Sequence, residues 1–258
     1  MMLYYLKAVT LAVIQGITEF LPISSHAHLI LFRWFTNWEP LNLSFDVLLH
    51  GGSLLSIFFF FHRELLTILR EEKRIIWIIL LSCIPTFIVG AVGEEFISQY
   101  LNTPIVISIM LVVVAFLFLF VENKPTGKRN WEEVTWKDAI LIGLAQSLAL
   151  VPGISRSGIT IVTGLFLGLN RSGATKFSFL MSIPALGGAL VYELLKNHIK
   201  LTLTFPPAAL LIGTLVCFIV SYLAIKYLLV YLQKGTFKPF AYYRILLAIV
   251  TIILNNER

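Results

Sequence analysis

Charged residues are scarce in this 258-residue sequence: Asp, Glu, Lys and Arg together make up 13% of it, against 58% hydrophobic residues. The mean hydropathy is +0.87. A water-soluble globule cannot bury so much apolar surface, so a soluble protein is excluded and lipid is the expected solvent. The apolar runs recur from end to end without a Ser-, Gly- or Pro-rich linker, which predicts a single integral membrane domain over residues 1–258.

Cysteine is almost absent as well. Cys83 and Cys217 each lie inside an apolar run, far from each other in the sequence. This spacing argues against a disulfide framework or a cysteine-based metal site, and it predicts small apolar packing residues instead. The net charge of +6 does not indicate nucleic-acid binding, because the basic residues lie mainly in short loops between apolar runs.

Six apolar stretches are long enough to cross the roughly 30 Å hydrocarbon core, which takes about 17 to 25 helical residues. We predict spanning helices near Leu43–Phe61, Ile75–Val92, Ile105–Val121, Gly173–Leu195, Phe205–Leu232 and Phe240–Leu254.

Two further apolar segments are interrupted by polar residues and proline. Residues 3–35 are broken at PISSHAH, and residues 137–169 are broken at PGISRSG. Neither half of either segment is long enough to span easily, so each segment predicts a re-entrant helical hairpin. Irregular backbone at membrane depth is tolerated only where protein or a water-filled cavity satisfies its polar groups.

The two broken segments resemble one unit used twice. A shift of 131 positions aligns Gln15 with Gln146 and Ser24 with Ser155, and a Gly pair follows each hairpin, at 51–52 and at 187–188. Three spans separate the hairpins, and an odd number of crossings inverts the second copy. The predicted fold is therefore an all-α polytopic membrane protein with six spanning helices and two re-entrant hairpins in an inverted-topology repeat. Repeat 1 covers about residues 3–121 and repeat 2 about residues 137–254.

The distribution of Lys and Arg predicts the orientation in the membrane. If the loop after the first span is cytoplasmic, fourteen basic residues fall on the inner side and five on the outer side, which agrees with the positive-inside rule. Both termini then lie outside, the first hairpin enters from the outer face and the second from the cytoplasm. The inner set is Arg63, Arg70, Lys73, Arg74, Lys124, Lys128, Arg129, Lys137, Arg171, Lys176, Lys226, Lys234, Lys238 and Arg244; the outer set is Lys7, Arg33, Lys196, Lys200 and Arg258.

The first hairpin carries candidate catalytic groups. Gln15 and Glu19 are four residues apart and share a helix face, and an acid at membrane depth is costly unless it is paired or hydrated. Ser25 and His28 are three apart, so a hydroxyl and an imidazole can act together as nucleophile and base. For Ser24, N-capping of the returning helix is as good an interpretation as catalysis. The alternative for Glu19 is a cap on the hairpin backbone.

The second hairpin carries a candidate anion site. PGISRSGIT places Ser155, Arg156, Ser157 and Thr160 at the start of another helix, where free N–H groups and the helix dipole favour an anion. A guanidinium at this depth needs a carboxylate or a phosphate, which its planar fork binds bidentately. A structural ion pair between Arg156 and Glu19 is the alternative, and it is compatible with the functional role.

Together the two hairpins supply an acid, a Ser/His pair, an Arg, several hydroxyls and two helix N-termini. This set of groups favours phosphoryl transfer. A secondary transporter or lipid translocase is the main alternative, because inverted repeats with broken helices are typical of transporters. A transporter, however, has no need of a Ser/His pair next to Glu19. An intramembrane serine protease would carry a Gly-x-Ser-Gly motif, which the sequence lacks.

These motifs resemble those of the undecaprenyl-diphosphate phosphatase family, also called the bacitracin-resistance family. QGITEFLPISSHAH is similar to the family's first signature and PGISRSGIT to its second, and the resemblance covers essentially the whole chain. It implies that Gln15 and Glu19 form the acidic motif, that Ser25 and His28 take the Ser/His positions, and that Ser155, Arg156 and Thr160 bind phosphate. Gln15 stands where many members have Glu, so it cannot act as a base.

The resemblance also implies the activity: removal of the terminal phosphate from a C55 polyprenyl diphosphate, which recycles the cell-wall carrier lipid at the plasma membrane. We expect a site that opens to the outer face, with Glu19, Ser25, His28 and Arg156 as catalytic residues. Gln15, Ser24, Ser155, Ser157 and Thr160 are the expected substrate-binding residues. Either Ser25 or His28 is the nucleophile or activates water. Glu19 is a candidate ligand for a divalent cation, Mg²⁺ or Ca²⁺, and a homodimer is left open.

Overall fold

The computed structural model describes residues 2–38, 43–196 and 206–256, and these residues fold into helices without a β-strand. The helices are α1 Met2–Thr18, α2 Ser25–Thr36, α3 Leu43–Phe60, α4 His62–Arg70, α5 Lys73–Tyr100, α6 Pro104–Glu122, α7 Trp136–Leu148, α8 Arg156–Phe166, α9 Arg171–Lys196, α10 Pro207–Tyr231 and α11 Lys238–Asn256, with a short 3-10 turn at Trp131–Glu133.

Five helices are long and apolar enough to cross a membrane: α5, α6, α9, α10 and α11. They confirm five of the six predicted spans, although the predicted start of one at Phe205 lies outside the described residues. The sixth predicted span corresponds to α3, which bends by 69° into α4 at Phe61. The pair counts as a sixth span if it is taken as one unit, so the chain is an all-helical, multi-span membrane protein.

Both predicted hairpins are helix breaks in the structure. α1 and α2 are separated by the turn at 19–24, and α7 and α8 by the turn at 149–155. Pro22 lies in the first turn, and Gly153 adopts a φ of 98° in the second, where a Cβ would lie 2.6 Å from the carbonyl oxygen of Ile107. We refer to residues 19–24 as tip 1 and to residues 149–155 as tip 2. Whether the hairpins are re-entrant in a bilayer stays a prediction.

The helix packing supports the predicted repeat. α1 packs mainly on α10 as α7 packs on α5, α3 packs on α10 as α9 packs on α5, and α6 pairs with α11. The second Gly of each pair lies at an equivalent close approach between helices. A Cβ at Gly52 would lie 2.7 Å from the Thr214 backbone oxygen of α10, and one at Gly188 would lie 2.5 Å from the Phe87 ring of α5. These correspondences agree with two copies of one unit, and the inverted repeat itself stays a prediction.

One basic residue was misplaced by the sequence interpretation. Arg244 was counted with the cytoplasmic loops, but the structure buries it completely, with its guanidinium against the two tips. The count was wrong there because an Arg seven residues into an apolar helix is not a loop residue. Lys200 and Arg258 lie outside the described residues. The interpretation of Cys83 and Cys217 is confirmed, since both are buried and free.

Candidate active site

Glu19 is the centre of a buried hydrogen-bond network in tip 1. Its side chain is almost fully buried, at 7% exposure. Oε2 accepts a hydrogen bond of 2.9 Å from the Gln15 amide and one of 2.6 Å from the Ser25 hydroxyl, while Oε1 accepts one of 2.7 Å from Nη2 of Arg156. The two broken segments therefore meet at a single carboxylate.

Arg156 is the first residue of α8 and has spare hydrogen-bonding capacity. Nη2 is bonded to Glu19, but Nη1 is buried without a hydrogen-bond partner in the described part of the chain. A buried donor without a partner costs about 1–3 kcal/mol. An anion that enters the site would remove this cost, because the guanidinium fork can hold a phosphate while it remains close to the carboxylate.

Ser24 and Ser155 are N-caps in an uncommon backbone conformation. Ser24 has φ 74° and accepts a hydrogen bond from the Ala27 amide at 3.4 Å; Ser155 has φ 72° and accepts one from the Gly158 amide at 3.1 Å. The capping interpretation of Ser24 is confirmed. A positive φ in a non-glycine residue persists only where the surroundings hold it, and such residues cluster at functional sites. The two caps bring two helix N-termini, which favour anions, to one place.

Ser157 and Thr160 bind protein groups. The Ser157 hydroxyl donates to the carbonyl oxygen of Leu21 at 3.3 Å, so it ties α8 to tip 1. The Thr160 hydroxyl donates to the Arg156 carbonyl at 2.8 Å and contacts the Ser178 hydroxyl at 2.7 Å. Thr160 thus lies within the packing of α8 on α9, and its predicted role in substrate binding is not supported by these contacts.

His28 does not pair with Ser25 as the sequence spacing suggested. Its Nδ1 lies 2.7 Å from the Ser24 carbonyl, which can only accept, so Nδ1 carries the proton and Nε2 accepts from the Tyr243 hydroxyl at 2.7 Å. The two rings also stack, with centroids 5.6 Å apart. The partner of Ser25 is the Glu19 carboxylate instead.

The other two histidines of this region lie on α2 and α3. His50 donates through Nδ1 to the Asp46 carbonyl at 2.7 Å, within its own helix. His26 is exposed. Asp46 itself is held by both terminal nitrogens of Arg33, at 2.9 and 2.5 Å.

Sequence reasoning missed Tyr243, which α11 places against His28, and Arg244, which α11 places against both tips. The available signal was an Arg inside a stretch predicted to span the membrane, a position that is costly unless the side chain has polar partners.

The possible metal ligands around Glu19 fit a divalent cation only in part. The described residues contain no group of three or more His, Cys, Asp or Glu side chains suited to a metal ion. However, Oε1 of Gln15 is buried and has no hydrogen-bond partner among the described residues, and Gln15 is already bonded to Glu19 through its amide nitrogen. Two neighbouring oxygen ligands are enough for Mg²⁺ when phosphate oxygens complete its coordination.

Comparison with known proteins points to one family. A model of the family described as bacitracin resistance protein BacA matches residues 8–250. A relative from Thermodesulfovibrio yellowstonii, named undecaprenyl-diphosphatase, is 42% identical over 96% of both chains. Relatives of the same name from Nitrosococcus oceani and Caldicellulosiruptor bescii are each 40% identical, over 97% and 95% of this chain and 98% and 96% of their own.

Proposed function

The chain belongs to the bacitracin resistance protein BacA family, and from this premise we propose how it works as an undecaprenyl-diphosphate phosphatase. It is a membrane enzyme that hydrolyses the polyprenyl diphosphate to the monophosphate and inorganic phosphate, which recycles the carrier lipid of cell-wall synthesis. The observation that carries the proposal is the hydrogen bond of 2.6 Å from Ser25 to a carboxylate that also holds Arg156. A transporter has no use for a hydroxyl activated in this way.

Substrate binding rests on positive charge at the tips. The spare Nη1 of Arg156 and the N–H groups at the starts of α2 and α8 attract the terminal phosphate. The prenyl tail stays in lipid between the spanning helices. Both hairpins supply part of this anion site, so neither binds the diphosphate well alone.

Ser25 is the nucleophile in our proposal, and Glu19 is its base. The Ser25 oxygen attacks the terminal phosphorus as its proton passes to Glu19, and the bond from phosphorus to the bridging oxygen breaks. Glu19 can return that proton to the departing monophosphate. It then takes a proton from the water that attacks phosphoserine, and Ser25 recovers a proton when inorganic phosphate leaves. His28 is less suited to nucleophilic attack because both of its ring nitrogens are engaged.

A divalent cation is part of the proposal. Glu19 and Oε1 of Gln15 would hold it together with the diphosphate, and when bound it would neutralise charge on the phosphate oxygens. Arg156 and the two helix N-termini do the same from the protein side.

We further propose that the enzyme lies in the plasma membrane with the site open to the outer face. The support is the excess of Lys and Arg in loops on the opposite side, which persists when Arg244 is removed from the count. A homodimer stays a prediction.

The test is to trap the intermediate. The detergent-solubilised enzyme is mixed with polyprenyl diphosphate labelled in its terminal phosphate, and the reaction is stopped with acid. We expect labelled phosphoserine at position 25 in the wild type, and neither label nor phosphate release in Ser25→Ala. Ser56→Ala, which removes a buried hydroxyl bonded to the carbonyl of Ser53, is the matched control and should keep both. Wild-type turnover by Ser25→Ala would refute the assignment.

A further inference from the structure

Arg244 on α11 links the backbones of both tips. Its guanidinium is fully buried, and Nη1 donates to the Pro22 carbonyl of tip 1 at 3.1 Å. Nη2 donates to the Gly153 and Ile154 carbonyls of tip 2 at 2.7 and 3.1 Å. Nε donates to the Leu111 carbonyl of α6 at 3.1 Å. One side chain therefore holds α6 and the two broken segments that form the site.

Within the described residues, the hydrogen-bond partners of Arg244 are all backbone carbonyls, and the fifth is that of Met110, at 3.4 Å. A buried cation without a carboxylate is expensive, and a well-packed apolar residue is often the more stable choice at such a position. Fold stability alone is thus a poor reason for an Arg here. What the Arg offers is a planar fork of five N–H donors, which fixes several carbonyls at set directions.

The three tip carbonyls that Arg244 holds lie just before the two serine caps. The Ile154 carbonyl belongs to the peptide unit that carries the Ser155 N–H, and because the unit is planar and trans, fixing the carbonyl directs that N–H to the opposite side. Pro22 lies two residues before Ser24. The positive φ at each cap needs support from its surroundings, and Arg244 supplies it at both tips.

We propose that Arg244 is a positioning residue for phosphate transfer: by holding both tips from behind, it sets the placement of Ser25 relative to Arg156. Ser25 follows the cap of tip 1 and Arg156 follows the cap of tip 2, so a shift of either tip misaligns the nucleophile and the phosphate ligand. The inference rests on the proposed function for its activity measurement.

The experiment compares Arg244→Lys and Arg244→Gln in the full-length, detergent-solubilised enzyme. Lys keeps the charge and loses the fork, whereas Gln loses both. We expect kcat for polyprenyl diphosphate to fall about 10²-fold in both variants, because a misplacement of about 1 Å costs that much. KM should change little, since Arg156 remains. Thr251→Val is the matched control: it removes another buried donor of α11, bonded to the Leu247 carbonyl at 2.8 Å, and should keep the wild-type kcat.

Amide hydrogen exchange over residues 19–25 and 153–158 gives a readout that does not need activity. Both Arg244 variants should exchange faster at both tips, whereas Thr251→Val should not. Wild-type kcat in the folded fraction of both variants, or a fall in Gln but not in Lys, would overturn the inference. Unchanged exchange at the tips would overturn it as well. If the wild type releases no phosphate, the proposed function fails, but faster exchange in the variants would still support the positioning of the tips.

Discussion

Nη2 of Arg156 lies 2.7 Å from the Glu19 carboxylate although the two residues are 137 positions apart in the chain. This contact brings the two broken segments together around one site. Both the catalytic interpretation and the structural ion pair anticipated it, and the unpartnered Nη1 of Arg156 allows both to hold at once.

Glu19→Gln should separate stability from activity. It removes the base, so kcat should fall about 10² to 10⁴-fold. It also leaves Arg156 as a buried cation without a counter-charge, so the melting temperature should fall. The double variant Glu19→Gln/Arg156→Gln should recover melting temperature but not turnover, because no uncompensated charge remains.

Glu64→Gln is the control for this experiment. Glu64 pairs with Lys176 at 3.2 Å in a more exposed position, so its loss should leave turnover unchanged and have a small effect on stability. A double variant that melts below Glu19→Gln would contradict the prediction. The measurements are thermal unfolding in detergent and phosphate release.

His28→Gln should keep most of the activity, with turnover within about tenfold of the wild type, because His28 acts through Ser24 and Tyr243 and not on the substrate. Tyr243→Phe removes the hydroxyl at the other end of this contact and should behave in the same way. A loss in His28→Gln as large as that in Ser25→Ala, measured as kcat/KM, would restore His28 as a catalytic residue.

Ser155→Gly should be more stable than Ser155→Ala. Loss of an N-cap side chain to Ala costs about 0.5 to 2 kcal/mol and loss to Gly only a few tenths, and at φ 72° Gly also avoids the steric cost of a Cβ. The same order is expected at Ser24. Thermal unfolding of the four single variants gives the answer, and a more stable Ala variant at both positions would contradict it.

Gln15→Glu should lower the cation concentration needed for half-maximal activity, because it adds a carboxylate beside Glu19. Gln15→Leu should raise this concentration. Chelator should abolish phosphate release by the wild type, and Mg²⁺ or Ca²⁺ should restore it. Direct cation binding, measured by calorimetry, should follow the same order; activity that survives chelation in full would remove the cation from the mechanism.

Labelling of single cysteines tests the orientation of the chain in the membrane. In a Cys83→Ala/Cys217→Ala background, Asn102→Cys and Lys128→Cys introduce thiols at exposed positions at opposite ends of α6. A membrane-impermeant maleimide should label position 102 in intact cells or spheroplasts, and position 128 only after lysis. The reverse pattern would place the site on the cytoplasmic side.

Sequence patterns predicted the features that depend on local chemistry. Hydropathy located five of the spans to within a few residues, and Pro22 and Gly153 marked the helix breaks. The need of Arg156 for an anion predicted its contact with Glu19.

Contacts between helices that are far apart in the sequence could not be predicted from the residue patterns. The spacing of Ser25 and His28 allowed them to meet, but Tyr243, from α11, holds the imidazole elsewhere. The role of Arg244 depends on carbonyls from three separate segments, and a carbonyl has no signature in the sequence. The bend at Phe61 was also missed, because hydropathy measures length and not direction.

Ser25 and Arg156 occupy the same place in the two hairpins: each is the first helical residue after a serine cap with positive φ. The same backbone conformation thus presents the proposed nucleophile in one hairpin and the proposed phosphate ligand in the other. In the proposed mechanism neither half of the chain would be a working enzyme by itself, because two identical halves would supply either a nucleophile without a phosphate ligand or a phosphate ligand without a nucleophile. The two helix starts share a backbone conformation, so the difference between their proposed roles lies in the side chains alone.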